Sequence, residues 1–237
     1  MKILKNKVVY ITGGTKGIGY GVAKTLLNAG MRVAISGRKL NIAEKAAATL
    51  GHNDQILAIE SDVVSLNDEK NAIAKVIEKW GQLDVVLANA GVGIFAPIDE
   101  LSETDWSAMI DTNLTGAFHS LKASVEALKR SKGYYISMAS LAGTNFFAQA
   151  GGYNASKFGL VGFTQAAMLD LRPHGIKVST IMPGSVATYF NDHTPNEKDA
   201  WKIQPEDIGK LVLDLLTMHP RTLPSKIEVR PSRPDLK

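Results

Sequence analysis

Short apolar runs rich in β-branched residues alternate along this chain with longer segments whose apolar side chains recur every three or four positions. The short runs predict strands over residues 7–11, 31–37, 55–60, 83–88, 133–140, 176–182 and 226–230. The longer segments predict helices over 40–50, 66–80, 102–130, 153–172 and 205–218, with one more running from the glycines at 13–19 as far as Gly30. Residues 83–88 (Leu-Asp-Val-Val-Leu-Ala) are nearly continuously apolar, as a strand covered on both faces requires. Strand and helix alternate with short links, and no repeat or change of composition divides the chain. The expected fold class is therefore α/β: a doubly wound, Rossmann-type parallel sheet of about seven strands with helices on both faces and a ligand crevice at the strands' carboxyl ends.

The punctuation of this pattern carries the chemistry. The first predicted strand ends in Thr12-Gly13-Gly14-Thr15-Lys16-Gly17-Ile18-Gly19 and a helix follows. Strand, glycine loop and helix present backbone N–H groups and a helix N-terminus to an anionic pyrophosphate. The second predicted strand ends in Ser36-Gly37-Arg38-Lys39. A unit that holds NAD places a carboxylate there for the ribose diol, whereas Arg38, with Lys16 from the glycine loop, favours a 2′-phosphate and hence NADP(H). Asp62, after the third strand, is placed to meet an adenine amino group. Asn89-Ala90-Gly91, after the fourth, suits a loop pressed against a ligand. Tyr153 and Lys157 lie four apart on a predicted helix and so share a face, where an ammonium is expected to lower the pKa of the phenol. Residues 185–204, with Phe190, Asp192, His193 and Trp201, are polar and without clear pattern, a candidate substrate lid.

Composition narrows the partners. Without cysteine there is no disulfide framework, thiolate metal site or cysteine nucleophile, which fits a cytoplasmic setting, and the five histidines show no metal-ligand spacing, so no metal is expected. The net charge of +4 is scattered except for a basic tail (Arg221, Lys226, Arg230, Arg233, Lys237), so no nucleic-acid partner is expected. The apolar run behind the basic N-terminus stops at Thr12-Gly13-Gly14, short of a signal peptide or of the ~20 apolar residues a membrane span needs.

Taken in order and spacing, Thr12-Gly13-x-x-x-Gly17-x-Gly19, Asp62, Asn89-Ala90-Gly91, Asn113, Ser140, Tyr153-x-x-x-Lys157 and Pro183-Gly184 with Thr188 resemble the motifs of the short-chain dehydrogenase/reductase family over essentially the whole chain. The resemblance implies a single dinucleotide-binding oxidoreductase domain over 1–237, with the lid near 185–204. It implies a catalytic set in which Tyr153 supplies a proton and Ser140 holds the carbonyl oxygen. Lys157 would lower the phenol pKa and bind the nicotinamide ribose, and Asn113 would hold a water that links Lys157 to solvent. Thr12, Gly13, Gly17 and Ile18 would line the pyrophosphate, and Arg38 and Lys16 the 2′-phosphate. Further cofactor contacts are implied at Thr15, Gly19, Asp62, Val63, Asn89, Ala90, Gly91, Tyr153, Lys157, Pro183, Gly184, Val186 and Thr188. The leading expectation is an NADPH-dependent carbonyl reductase acting on a small or medium ketone or aldehyde. One alternative is a 3-oxoacyl-[acyl-carrier-protein] reductase. Against it, members with that activity usually end in a glycine-rich valine/aspartate segment, whereas this chain reads Ile227-Glu-Val-Arg-Pro-Ser-Arg-Pro234. A second alternative, a regulator that binds NADP(H) without chemistry, would not need Tyr153 and Lys157. The long helices near 102–130 and 153–172 resemble the family's dimer-forming pair, so a homo-oligomer, dimer or tetramer, is expected.

Overall fold

Seven strands form one sheet in the order β3-β2-β1-β4-β5-β6-β7, every pairing parallel. They are β1 (Val8–Ile11), β2 (Arg32–Gly37), β3 (Ile56–Glu60), β4 (Val85–Ala88), β5 (Tyr134–Met138), β6 (Lys177–Pro183) and β7 (Lys226–Val229). The computed structural model describes residues 4–51 and 54–233. Between the strands lie α1 (Gly17–Asn28), α2 (Leu40–Leu50), α3 (Leu66–Trp80), α4 (Glu103–Ile110), α5 (Gly116–Ser131), α6 (Gly151–Leu171) and α7 (Pro205–Thr217). Strand order reverses between β1 and β4, which opens a crevice at their carboxyl ends.

The period of two along each strand divides the core into two layers. Val9, Ile11, Val33, Ile35, Leu87, Ile136 and Ile181 face α1, α2 and α7, while Val8, Tyr10, Ala34, Val86, Tyr135 and Val178 face α3, α5 and α6. Asp84 interrupts the apolar run before β4 for a structural reason. Its buried carboxylate accepts from Lys7 Nζ (2.7 Å), the Val8 N–H (2.8 Å) and Gln82 Nε2 (2.9 Å), which fixes where β1 begins beside β4. Helix ends follow local chemistry: Ser65 Oγ caps α3 by accepting from the Asp68 N–H (3.2 Å), and Gly81 closes it at φ +75°.

Three segments differ from the sequence expectation. The helix expected over 102–130 is two helices joined by a five-residue π-helical turn, Asp111–Thr115. A π turn absorbs one extra residue, a single-step skip that apolar spacings of three and four already tolerate, so the pattern does not reveal it. The helix expected from residue 153 begins at Gly151, and its first turn uses Gly152 to lie against α4, where a Cβ would crowd Met109 and come 3.4 Å from Trp106 and Leu101. Residues 185–204 are tied down: Val186 bridges Ile203, and the buried Asp199 carboxylate takes His193 Nε2 and Lys202 Nζ, both at 2.6 Å. Among the described residues no helix is long and apolar enough to cross a membrane, and no group of three or more acidic or histidine side chains could hold a metal ion.

Helices α1 and α7 approach through glycine. A Cβ on Gly21 would stand 2.7 Å from the carbonyl carbon of Pro205 and 2.8 Å from its oxygen, backbone atoms that cannot swing aside. Gly21→Ala is expected to lower unfolding free energy by about 1–3 kcal/mol in urea denaturation, the range for overpacking a close contact. An unchanged midpoint would show that the two helices part freely.

Candidate active site

The loops at the carboxyl ends of β1 and β4 are held to one another by side chains the sequence places there. Thr12 Oγ1 accepts from the N–H groups of Asn89 (3.0 Å) and Ala90 (3.1 Å), and Asn89 Nδ2 donates to the carbonyls of Thr12 (2.9 Å) and Gly13 (3.0 Å). Both side chains therefore shape the loops from within. Gly13 and Gly17 adopt φ +63° and +57°, where a side chain is strained, and a Cβ on Gly13 would come within 2.9 Å of Ala90 Cα. Gly19 is equally confined, its absent Cβ lying 2.6 Å from Asn89 Nδ2. Ile18 opens α1 beside them.

The far edge of the crevice carries the residues expected near an adenosine. Thr15 packs over the end of β2, its methyl 2.8 Å from where a Gly37 Cβ would be, so exposed Arg38 stands beside the glycine loop. The Lys16 ammonium lies 5.9 Å over the Tyr189 ring, on the segment that follows β6. Asp62 Oδ1 accepts from the Val64 N–H (3.1 Å), and the Val63 carbonyl is 3.0 Å from His119 Nδ1. Behind them sits a buried network that sequence reading missed. Glu69 Oε1 accepts from Tyr10 Oη (2.8 Å) and Ser61 Oγ (2.7 Å), and the Tyr10 oxygen in turn accepts from the Ser36 hydroxyl (3.0 Å). Burial raises the Glu69 carboxyl above the usual carboxylate range, partly opposed by these two hydroxyls. The available signal was a glutamate and a tyrosine on faces that are otherwise apolar.

Ser140, Asn113, Tyr153 and Lys157 come together at the end of β5. Ser140 is extended and caps a short 3₁₀ turn, its Oγ accepting from the Ala142 N–H (3.1 Å), so its own hydrogen stays free to donate. Tyr153 and Lys157, on the first two turns of α6, are 8% and 4% exposed. Lys157 Nζ donates to the Met138 carbonyl (3.0 Å) and lies 5.8 Å from the Tyr153 ring centroid. The Asn113 amide, in the π turn, clasps the loop after β4: Oδ1 accepts from the Val92 N–H (2.8 Å), while Nδ2 donates to the Val92 carbonyl (2.9 Å) and Ser156 Oγ (2.9 Å). Its two N–H groups are thus both engaged by protein. Pro183 ends β6, Gly184 donates to the Val229 carbonyl (2.8 Å), Val186 joins Ile203, and Thr188 returns to within 3.4 Å of where a Gly17 Cβ would be. The segment after β6 therefore closes back onto the glycine loop.

Electrostatics depart from expectation. Burial pushes the Tyr153 phenol above its ordinary value, and the facing Ser140 hydroxyl pulls it down only in part. The Lys157 charge was expected to dominate, but aromatic rings surround the phenol, with Phe95 at 5.4 Å and Phe190 at 5.5 Å, while the ammonium is directed to the Met138 carbonyl. Burial likewise lowers Lys157, to about 8.

Residues 7–199 match the family model for short chain dehydrogenases. The chain belongs to the short-chain dehydrogenase family. It is accordingly an enzyme, an oxidoreductase acting on CH–OH or carbonyl groups. An uncharacterized oxidoreductase of Staphylococcus aureus is 31% identical over 232 residues, covering 98% of this short-chain dehydrogenase and 100% of its relative. Among solved structures, the alcohol dehydrogenase of the archaeon Thermococcus sibiricus, complexed with 5-hydroxy-NADP, superposes with a TM-score of 0.90 at 29% identity, covering 98% of this chain and 100% of that one. A metagenomic short-chain oxidoreductase in complex with NADP reaches 0.82 at 30% identity, with the same coverage.

The residues present fit a nicotinamide dinucleotide. Two positive-φ glycines line the crevice, and at Gly91 a Cβ would stand 3.2 Å from Asn113 Oδ1 and 3.5 Å from Lys157 Nζ, so its absence keeps the buried ammonium reachable from the crevice. Holding that ammonium in the fold opposes stability. Below about pH 8 the native state carries a buried charge, whereas between about 8 and 10.5 the unfolded chain binds a proton that the native state has released, so this group's contribution to stability improves with rising pH across that window. Lys157→Met is therefore expected to be more resistant to urea than the wild type at pH 7, by up to about 3 kcal/mol for a pKa lowered from 10.5 to about 8. The gain should shrink toward pH 10. A difference that does not change with pH would show that Lys157 is not charged and buried at neutrality.

Proposed function

We propose that this short-chain dehydrogenase transfers a hydride between NADP(H) and a small or medium ketone or aldehyde, reversibly to the alcohol. The observation that carries the reading is one crevice holding the Ser140 hydroxyl, the Tyr153 phenol and the buried Lys157 ammonium, on the same sheet edge as a loop with glycines at positive φ. The bound nicotinamide supplies the hydride; the chain supplies position, a proton and charge. Ser140, whose oxygen already accepts from the Ala142 N–H, donates its free hydrogen to the carbonyl oxygen. Tyr153 delivers its proton as negative charge builds on that oxygen. A phenol raised by burial keeps its proton until then, and Lys157 remains mainly cationic at neutral pH to stabilise the phenolate that results. Lys157 also has two further N–H groups with which to hold ribose hydroxyls. Asn113 fixes the loop after β4 against α6 through Val92 and Ser156, which keeps Gly91 beside Lys157.

The choice of NADP(H) rests on Arg38. It is exposed at the end of β2, where a carboxylate would repel a 2′-phosphate and a guanidinium can pair with it bidentately. The NADP-type ligands of two solved relatives support the same assignment. Residues 185–204 act as the lid of a single catalytic domain, with Phe190 against Tyr153 and Thr188 near Gly17. Along α5 and α6, Phe118, Phe158 and Leu169 stay exposed, and Gly162 has no neighbour within 4 Å, so this face is the proposed contact of a homodimer.

Tyr153→Phe is expected to lower kcat by about a thousandfold, within the range for losing a general acid, while a fluorescence titration finds NADPH binding nearly unchanged. Wild-type turnover in that variant would refute the mechanism. Arg38→Asp should reduce the ratio of kcat/KM with NADPH to that with NADH by about a hundredfold, the scale of a lost charge-assisted pair plus repulsion. A constant ratio would mean that the phosphate sits elsewhere.

A further inference from the structure

Three loops meet at Tyr153: residues 91–98 after β4, 141–152 between β5 and α6, and 184–191 after β6. None of the three contains Lys, Arg, His, Asp or Glu. The first two are joined by the Ala96 N–H donating to the Gln149 carbonyl (2.9 Å). The third lays the Phe190 ring on Gly93, where a Cβ could not fit. Phe95 stands at the centre, its ring 5.4 Å from that of Tyr153, 5.8 Å from Phe147 and 6.4 Å from Phe190, with tilted or edge-on geometry throughout. Of the charged neighbours, Lys16 belongs to the glycine loop and lies 5.9 Å over the Tyr189 ring. Lys157 is buried against the Met138 carbonyl. Glu228 touches Thr144 (3.5 Å) but is paired with Arg230 (3.0 Å), and the first ionisable residues beyond position 98 are the exposed Asp99 and Glu100.

Among the described residues, a carboxylate entering here would lose hydration and find no cation on these three loops to receive it. A flat ring gains area burial and the edge-to-face contacts that aromatic pairs prefer. The chain supplies its own example: the Phe190 phenyl group, on the lid, rests 5.5 Å from the Tyr153 ring.

We propose that the substrate is an uncharged carbonyl compound with an aromatic group next to the carbonyl, an aryl ketone or aryl keto ester, and that the matching carboxylates are rejected. This rests on the carbonyl reduction proposed above. The carbonyl carbon gains the hydride of NADPH with its electron pair and the oxygen gains the Tyr153 proton, giving the secondary alcohol and NADP⁺.

The test uses the full chain with NADPH, followed by its absorbance, on methyl benzoylformate, benzoylformate and methyl pyruvate. The aryl ester is expected to show kcat/KM about tenfold or more above each of the others, with benzoylformate weakest in KM, because its charge finds no partner on the three loops. Phe95→Leu and, separately, Phe147→Leu should lower the ratio of kcat/KM for methyl benzoylformate to that for methyl pyruvate by about fivefold or more, mostly through KM. Benzoylformate turned over as well as its ester would overturn the proposal, as would an unchanged ratio in both variants. If methyl pyruvate is reduced with no preference for the aryl ester, the aromatic slot fails while carbonyl reduction stands. If NADPH binds and none of the three is reduced, both fail.

Discussion

An ammonium group is among the most expensive side-chain ends to remove from water, and this fold removes one at Lys157. The surrounding structure is arranged so that the charge survives. The end of β5 offers the Met138 carbonyl, α6 carries the lysine behind Tyr153, and the glycine at position 91 leaves the ammonium a way to the crevice. A side chain at Gly91 would press on the Asn113 amide and touch the ammonium. Much of the local irregularity at the carboxyl edge thus traces to one requirement, a cation kept close to a phenol in a place where water would otherwise be the better solvent.

That requirement has a second side. Desolvation acts on the phenol as well as on the amine, and it moves the two in opposite directions, Tyr153 upward and Lys157 downward. The protein without ligand therefore holds the pair in the neutral-phenol, mainly cationic-amine state. Such a pair is poised to give up a proton when negative charge develops nearby, rather than to sit ionised beforehand. The spacing of the two residues shows their attraction, whereas the burial that sets both groups in the ligand-free protein arises only in the fold.

Regular elements were legible because their ends carry local signals. The bounds of α2 and α3 follow from residues 40–50 and 66–80 alone, and for α3 the reason is visible in Ser65 and Gly81. The positions that define the crevice were legible as well, since glycines and short polar residues interrupt apolar runs there. What could not be read depends on contacts between distant parts of the chain. Nothing near Glu69 in the sequence announces Tyr10 as its partner, and nothing around Thr12 and Asn89 shows that their side chains bond to loop backbone. The order within 185–204 likewise depends on Val186 meeting Ile203, and on Asp199 gathering His193 and Lys202.

The π turn between α4 and α5 has a geometrical meaning of its own. One surplus residue in a helix shifts the phase of everything before it by about 100° relative to everything after, since a turn takes about 3.6 residues. The face of α4 that bears Met109 and Trp106 toward Gly152 and the face of α5 that bears Leu121 and Leu128 toward the sheet would diverge by that angle in an unbroken helix. Removal of a single residue from 111–115 would thus leave a smoother rod with both faces in phase but without the bulge that sets the Asn113 amide against Val92 and Ser156.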